Sequence, residues 1–221
     1  MKKIILSVGF CLCLMSGLSY ANMSLNGPTG LIMIPSAESI KFKEFNFSYD
    51  YGMANKEQDD NWYYKANIGT FQNLELGFIG GKYPSEGAFL NVKYYLTTSE
   101  EVSPLHLALG AENILSHSKT NVYMVASKRL RYGIGAHFGF RAIFDEDDVL
   151  PTIMAGSNYM VNSQWEVLGD ISGTKTSYLV NVGSRYNFNS DIAIRLNVVD
   201  LFSQEEVGTL FTLGISTSRF L

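Results

Sequence analysis

The stretch Glu44–Met53, "EFNFSYDYGM", decides the fold. Phe45, Phe47, Tyr49, Tyr51 and Met53 take the odd positions, and Glu44, Asn46, Ser48 and Asp50 the even ones up to Gly52. Side chains of a strand alternate between its two faces. This strand therefore has one apolar face and one polar, partly charged face. Either a protein core or lipid must cover the apolar one.

The pattern recurs along the chain. Residues 62–70 set Trp62, Tyr64, Ala66 and Ile68 against Lys65 and Asn67, and 74–78 set Leu74, Leu76 and Phe78 against Glu75. Residues 88–96 carry Lys93 on the polar face, 105–113 carry His106 and Glu112, and 134–144 carry His137 and Arg141. Residues 165–171 carry Glu166 and Asp170, 178–188 carry Arg185, 192–199 carry Arg195, and 209–217 carry Thr212, Gly214 and Ser216. Residues 120–128, "TNVYMVASK", are apolar on both faces, and 151–160 alternate weakly. This makes twelve segments, or ten strands if the sixth and eighth pair differently. The period is 2 and not 3.6. Each segment with its flanks is about long enough to cross a bilayer when tilted.

Tight turns at "TFQNL", "MVNSQW" and "NFNSDI" alternate with longer polar connections such as "MANKEQDDN", "FDEDDVL" and "DLFSQEEVG". "TTSEEVSP" is a longer exception among the short ones. Short turns at one end and long loops at the other are the mark of an up-and-down membrane barrel.

The first 21 residues, "MKKIILSVGFCLCLMSGLSYA", read as a secretory signal peptide: two lysines, an apolar run from Ile4 to Met15, and small residues ending at Ala21. Both cysteines, Cys11 and Cys13, lie inside it. Without it, 15 basic residues face 21 acidic ones, a net charge of −6, which argues against a nucleic-acid partner. The expected organisation is a signal peptide over 1–21, an N-terminal segment over 22–43 and a barrel over 44–221.

A secreted sandwich or lipocalin-like barrel also alternates, with its apolar faces inward. Three features favour lipid. The polar faces carry fixed charges in mid-strand: Glu44, Asp50, Glu75, Glu112, Glu166 and Asp170 against Lys65, Lys93, Lys128, Arg141, Arg185 and Arg195. Such a balance suits a hydrated, ion-paired lumen. Trp62, Tyr64, Tyr94, Tyr159, Trp165, Tyr178 and Phe188 fall near strand ends, where interfacial aromatic girdles sit. Export without cysteine in residues 22–221 suits a bacterial envelope better than a disulfide-stapled secreted domain. The fold class expected is all-β, a transmembrane antiparallel barrel in the bacterial outer membrane. Its partners would be outer-membrane lipid, lipopolysaccharide and the barrel-assembly machinery. The C-terminus resembles the sorting signal of last strands: Gly214 stands six positions before the aromatic Phe220, although Ser218 supplies no second aromatic and Leu221 follows.

Ahead of the first strand, "NGPTGLIMIPSAESI" contains Thr29, Gly30, Leu31, Pro35 and Ala37. This Thr-Gly-Leu-x-x-x-Pro-x-Ala element resembles the opening of the YjbH-like outer-membrane barrels linked to exopolysaccharide export. Members of that family are several times longer. The resemblance implies a non-enzymatic barrel that supports export or assembly of surface polysaccharide, with export proteins as partners. Read from the residues alone, Pro28 and Pro35 disfavour a helix interior or a central strand. The segment is then either a piece tucked into the lumen or across its mouth, or a loose tether.

Two other functions are open: a small-solute channel and a lipid hydrolase. His117 lies between Ser116 and Ser118, but an orienting acid and an oxyanion hole at a recognisable spacing are missing. The acidic run Asp145–Asp148 matches no calcium-loop spacing. No catalytic, cofactor-binding or metal-binding residues are assigned. The eleven charges Glu44, Asp50, Lys65, Glu75, Lys93, Glu112, Arg141, Glu166, Asp170, Arg185 and Arg195 are expected to line the lumen.

Overall fold

Each alternating segment becomes a strand in the computed structural model. It describes residues 22–38, 40–56, 61–71, 73–82, 87–96, 105–115, 119–145, 148–189, 191–204 and 208–220. The strands are β1 (Glu44–Ala54), β2 (Asn61–Phe71), β3 (Leu74–Gly81), β4 (Gly87–Tyr95), β5 (His106–Ile114) and β6 (Lys119–Arg129). They continue as β7 (Ile134–Asp145), β8 (Asp148–Met160), β9 (Trp165–Gly173), β10 (Tyr178–Asn187), β11 (Ile192–Val199) and β12 (Leu210–Phe220). Every strand pairs antiparallel with its neighbours in sequence, and β1 closes the ring against β12 from Glu44↔Phe220 to Ala54↔Leu210. Closure leaves no unpaired strand edge. The ten-strand alternative is excluded, because β6 and β8 each pair fully with both neighbours.

The period-2 pattern sets which face of each strand is which. Phe47, Tyr49, Met53, Phe138, Phe140, Leu196, Leu213 and Ile215 lie exposed on the outer wall. The strand-end aromatics Trp62, Tyr64, Tyr94, Tyr159, Trp165, Tyr178 and Phe188 lie on it too. Trp62, Tyr64 and Tyr178 stand at one rim and the other four at the opposite rim, which gives two girdles.

Three expectations are corrected. Lys128 points outward and is exposed, because Asn121, Tyr123, Val125 and Ser127 are the inward set of β6. The uneven loop lengths are less marked than the sequence implies. β7 and β8 run on until Asp145 faces Asp148, so only 146–147 separate them. Ladder pairing satisfies the backbone polar groups even where the side chains turn polar, so the hairpin outlasts the apolar band. Third, the lumen is not the water-filled space the charges suggest. Asp50 and Lys65 are both 0% exposed.

What covers them is the N-terminal segment. Met23, Leu25, Ile32, Ile34 and Ala37 are each 1% exposed or less. The inward residues Tyr63, Ala108, Tyr123, Val125, Met154, Leu168, Val199 and Leu210 form one apolar cluster with Leu25, Ile32, Ile34 and Ala37. The segment thus runs inside the barrel. It folds on itself through Leu25 N–Ile32 O (2.7 Å) and Leu31 N–Ile34 O (3.0 Å), and through bridges pairing Met23 with Thr29 and Gly30 with Pro35.

Phe138, 47% exposed on the outer face of β7, tests the lipid contact. Phe138→Arg should cost about 2–4 kcal/mol if it lies near the bilayer midplane, and about 0–1 near the interface. The measurement is the urea midpoint of the heat-modifiable, folded form in lipid vesicles. A variant as stable as the parent would mean that Phe138 does not lie near the middle of the hydrocarbon.

Candidate functional site: an occupied lumen

The strands deliver the eleven sequence-predicted charges to the interior, where every one is buried. Arg195 Nη2 and Lys65 Nζ both lie 2.9 Å from the Asp50 carboxylate, which also accepts from Ser48 Oγ at 2.9 Å. Ser48 stands two residues before Asp50, so the strand period itself brings the two side chains together. Glu75 pairs with Lys93 (3.1 Å), Glu112 with Arg141 (3.1 Å) and Glu166 with Arg185 (2.6 Å). Two of these pairs are register partners on adjacent strands, Glu75↔Lys93 and Glu166↔Arg185. Pairing therefore runs along the wall rather than across the lumen. Glu44 lies at the barrel end and accepts from the Lys41 amide at 3.1 Å.

The remaining capacity of these groups is directed at the main chain of the N-terminal segment. Arg195 Nη1 donates to Met23 O (2.6 Å), Lys65 Nζ to Ser24 O (2.8 Å), Asn91 Nδ2 to Asn26 O (3.2 Å) and Asn67 Nδ2 to Gly27 O (2.8 Å). Lys93 Nζ donates to Thr29 O (3.1 Å) and also contacts Thr29 Oγ1 and Glu38 O. Arg141 Nη2 donates to Met33 O at 3.4 Å. Glu75 accepts from Thr29 N (2.9 Å) and Thr29 Oγ1 (2.7 Å). Asp170 Oδ2 accepts from three successive amides, Ile32 and Met33 at 2.8 Å and Ile34 at 3.3 Å. Such a concave run of amides is a nest for an anion.

The motif residues Thr29, Gly30, Leu31, Pro35 and Ala37 all fall in this internal segment. Thr29 and Ala37 are fully buried, and Leu31 is 5% exposed. Gly30 admits no side chain, since a Cβ there would meet Ile34 O at 2.2 Å. Gly214, assigned above to the sorting signal, faces Asp50 on one side and Arg195 on the other. Phe220 is the last residue of β12, and Leu221 lies outside the described residues.

A further chain of contacts has no motif in the sequence. The Ala37 amide donates to Ser127 Oγ (2.8 Å), which bonds His137 Nδ1 (2.7 Å); His137 Nε2 bonds Asn158 Oδ1 (3.0 Å). Asn158 Nδ2 then donates to Glu166 Oε1 at 2.5 Å. Ser127 is already engaged by the segment, so the chain ties residue 37 to the wall. Period 2 places all four side chains inward, but nothing in the spacing announces their contact. His106 bonds Tyr95 OH. His117, Ser116 and Ser118 lie outside the described residues, as do Glu146, Asp147 and residues 1–21. Among the described residues no three His, Asp or Glu side chains gather as a metal site.

No family model matches the chain, and none of the curated proteins matches it by sequence. Solved structures do resemble it. The KdgM porin, in complex with disordered oligogalacturonate, aligns with a TM-score of 0.58 at 16% identity, over 78% of this chain and 98% of that one. The NanC porin aligns with a TM-score of 0.58 at 10% identity, over 80% and 99%. An outer membrane channel from Pseudomonas putida F1 aligns with a TM-score of 0.52 at 12% identity, over 84% and 98%. At these identities the likeness is one of fold. Together with the closed ring of strands, the apolar outer wall and the two aromatic girdles, it makes this chain an outer-membrane β-barrel.

Proposed function

We propose that the protein is a non-enzymatic small-solute channel of the outer membrane whose passage is occupied by its own residues 22–40. The observation that carries this reading is how the occupant is held. A polar wall grips it through hydrogen bonds to its main chain, together with one apolar patch. Bonds of this kind can be exchanged for bonds to water or solute, since each contributes only about 0.5–1.5 kcal/mol net when neutral and about 1.5–3 kcal/mol when one partner is charged. The likeness to porins supports the same reading over polysaccharide export. Export remains the second reading, and it rests on the Thr29-Gly30-Leu31…Pro35…Ala37 element alone. The apolar wall would meet membrane lipid and lipopolysaccharide, and β12 would engage the assembly machinery.

The ion pairs along the wall and the buried segment predict little steady conductance from the resting protein. A removable tether tests the gate. Ala37 N lies 2.8 Å from Ser127 Oγ, and residues 22–221 contain no cysteine. Ala37→Cys with Ser127→Cys would form a single bridge. In planar bilayers the oxidised protein should stay closed, while reduction should raise open probability about tenfold, the effect of roughly 1.4 kcal/mol. Equal conductance in both states would mean that the segment does not gate. Silence in both would sink the channel reading.

A further inference from the structure

Apart from Glu44 at the barrel end, the lumen charges are five acids and five bases, balanced in number but not in place. Lys65 and Arg195 share one carboxylate, Asp50, so that corner of the wall carries an excess positive charge. Asp170, 4% exposed on β9, has no cationic partner among the described residues. Its negative charge is met only by the Ile32, Met33 and Ile34 amides and by Asn181 Nδ2 at 2.6 Å. The occupant matches both poles. It offers carbonyl oxygens of residues 23 and 24 to the cationic corner and amides of residues 32–34 to the lone carboxylate. The Leu25 N–Ile32 O bond, 2.7 Å, holds these two parts of the segment side by side.

When the segment leaves, two cations are left with the one carboxylate of Asp50, and Asp170 is left with Asn181. Charges left short of partners in a narrow lumen are costly, so the vacated lumen favours a solute that supplies both poles at once. A neutral sugar supplies neither charge. A simple anion or cation supplies one. We propose that the open lumen is a recognition site for short zwitterionic peptides, and that residues 22–34 are a built-in pseudo-ligand for it. The peptide carboxylate takes the place of Met23 O and Ser24 O at Lys65 and Arg195. Its ammonium takes the place of the three amides at Asp170. Asn67 and Asn91, which now donate to the carbonyls of residues 27 and 26, read the peptide groups between. Recognition through main-chain groups makes the site indifferent to the peptide's side chains.

This inference rests on the channel reading, and the test separates the two. Full-length protein in proteoliposomes is assayed by swelling with triglycine, N-acetyl-triglycine, which lacks the ammonium, and triglycinamide, which lacks the carboxylate. Potassium chloride conductance is recorded in parallel. Triglycine should enter about tenfold faster than either blocked peptide, as expected for charge-assisted contacts worth more than neutral ones. Asp170→Asn should abolish the preference over N-acetyl-triglycine only. Lys65→Met, which leaves Asp50 and Arg195 as a balanced pair, should abolish the preference over triglycinamide only. Heat-modifiable gel mobility verifies that each variant is folded, and the second variant stands if the first does not fold. Equal entry of all three peptides with normal conductance would overturn the peptide site and leave the channel. Preferences unchanged in both variants would overturn the assignment of the poles. No swelling with any of the three peptides, together with silence of the reduced Ala37→Cys/Ser127→Cys protein, would overturn the channel reading, and this inference with it.

Discussion

Replacing Asp50 with alanine should destabilise the barrel by about 3–5 kcal/mol, the usual cost of removing one member of a buried ion pair. Asp50 is 0% exposed and is the single carboxylate within 2.9 Å of both Lys65 and Arg195. Its loss leaves two buried cations facing each other across the site of the missing side chain. The carbonyls of Met23 and Ser24 are then their main acceptors. Added salt should not rescue the variant, because screening acts weakly on charges out of contact with solvent. Lys65→Met is the counterpart: it removes one of two cations and leaves Asp50 bonded to Arg195 at 2.9 Å, so it should cost much less. The measurement is the urea midpoint of the folded gel form for both variants and the parent. Equal midpoints for Asp50→Ala and Lys65→Met would mean that the cluster is hydrated and that the segment does not seal it.

The strands were legible because one physical rule governs them all. A wall with hydrocarbon outside and polar groups inside must alternate at every step, and most of the strands do. β6 was ambiguous for a reason that lies elsewhere in the chain. Tyr123 and Val125 face inward yet are apolar, and they pack with Leu31, Ile32 and Ile34. Periodicity reads a strand against a uniform lumen. Here the lumen has an apolar occupant, and so both faces of β6 turned apolar. The same contact explains Lys128, since a strand apolar on both faces gives no clue to which parity points inward. The inward charges were also legible, but their partners were not. Side chains long enough to reach across a lumen also reach a neighbouring strand, and register decides between the two. Asp170 looked like any other inward acid. Its distinction lies in the amides of residues 32–34, whose folded turn has no period to read.

Gly214→Val should be nearly as damaging as the loss of Asp50, although it removes no charged group. A Cβ at residue 214 would stand 2.0 Å from Asp50 Oδ1 and 3.1 Å from Arg195 Nη2. Gly214 is the register partner of both residues, so the carboxylate occupies the space that any side chain on β12 would need. Valine must push Asp50 away from its cations. That adds overpacking, typically about 1–3 kcal/mol, to part of the pairing loss. Gly214→Ala should show the smaller, steric share. The resemblance to a sorting signal makes a different prediction, in which substitutions at Gly214 impair assembly in cells and leave the finished barrel untouched. Refolding purified protein from urea into detergent micelles bypasses the cellular machinery, and the packing account expects the loss of stability to persist there. A swap sharpens the contrast. Gly214→Asp with Asp50→Gly returns one carboxylate to the space between Lys65 and Arg195 from the opposite strand. The double variant should be more stable than either single one, because the singles carry a steric clash or two unpaired cations and the double carries neither. Such coupling between neighbours is what a double-mutant cycle measures. Additive losses, with the double worse than both singles, would show that Gly214 does not serve the Asp50 cluster.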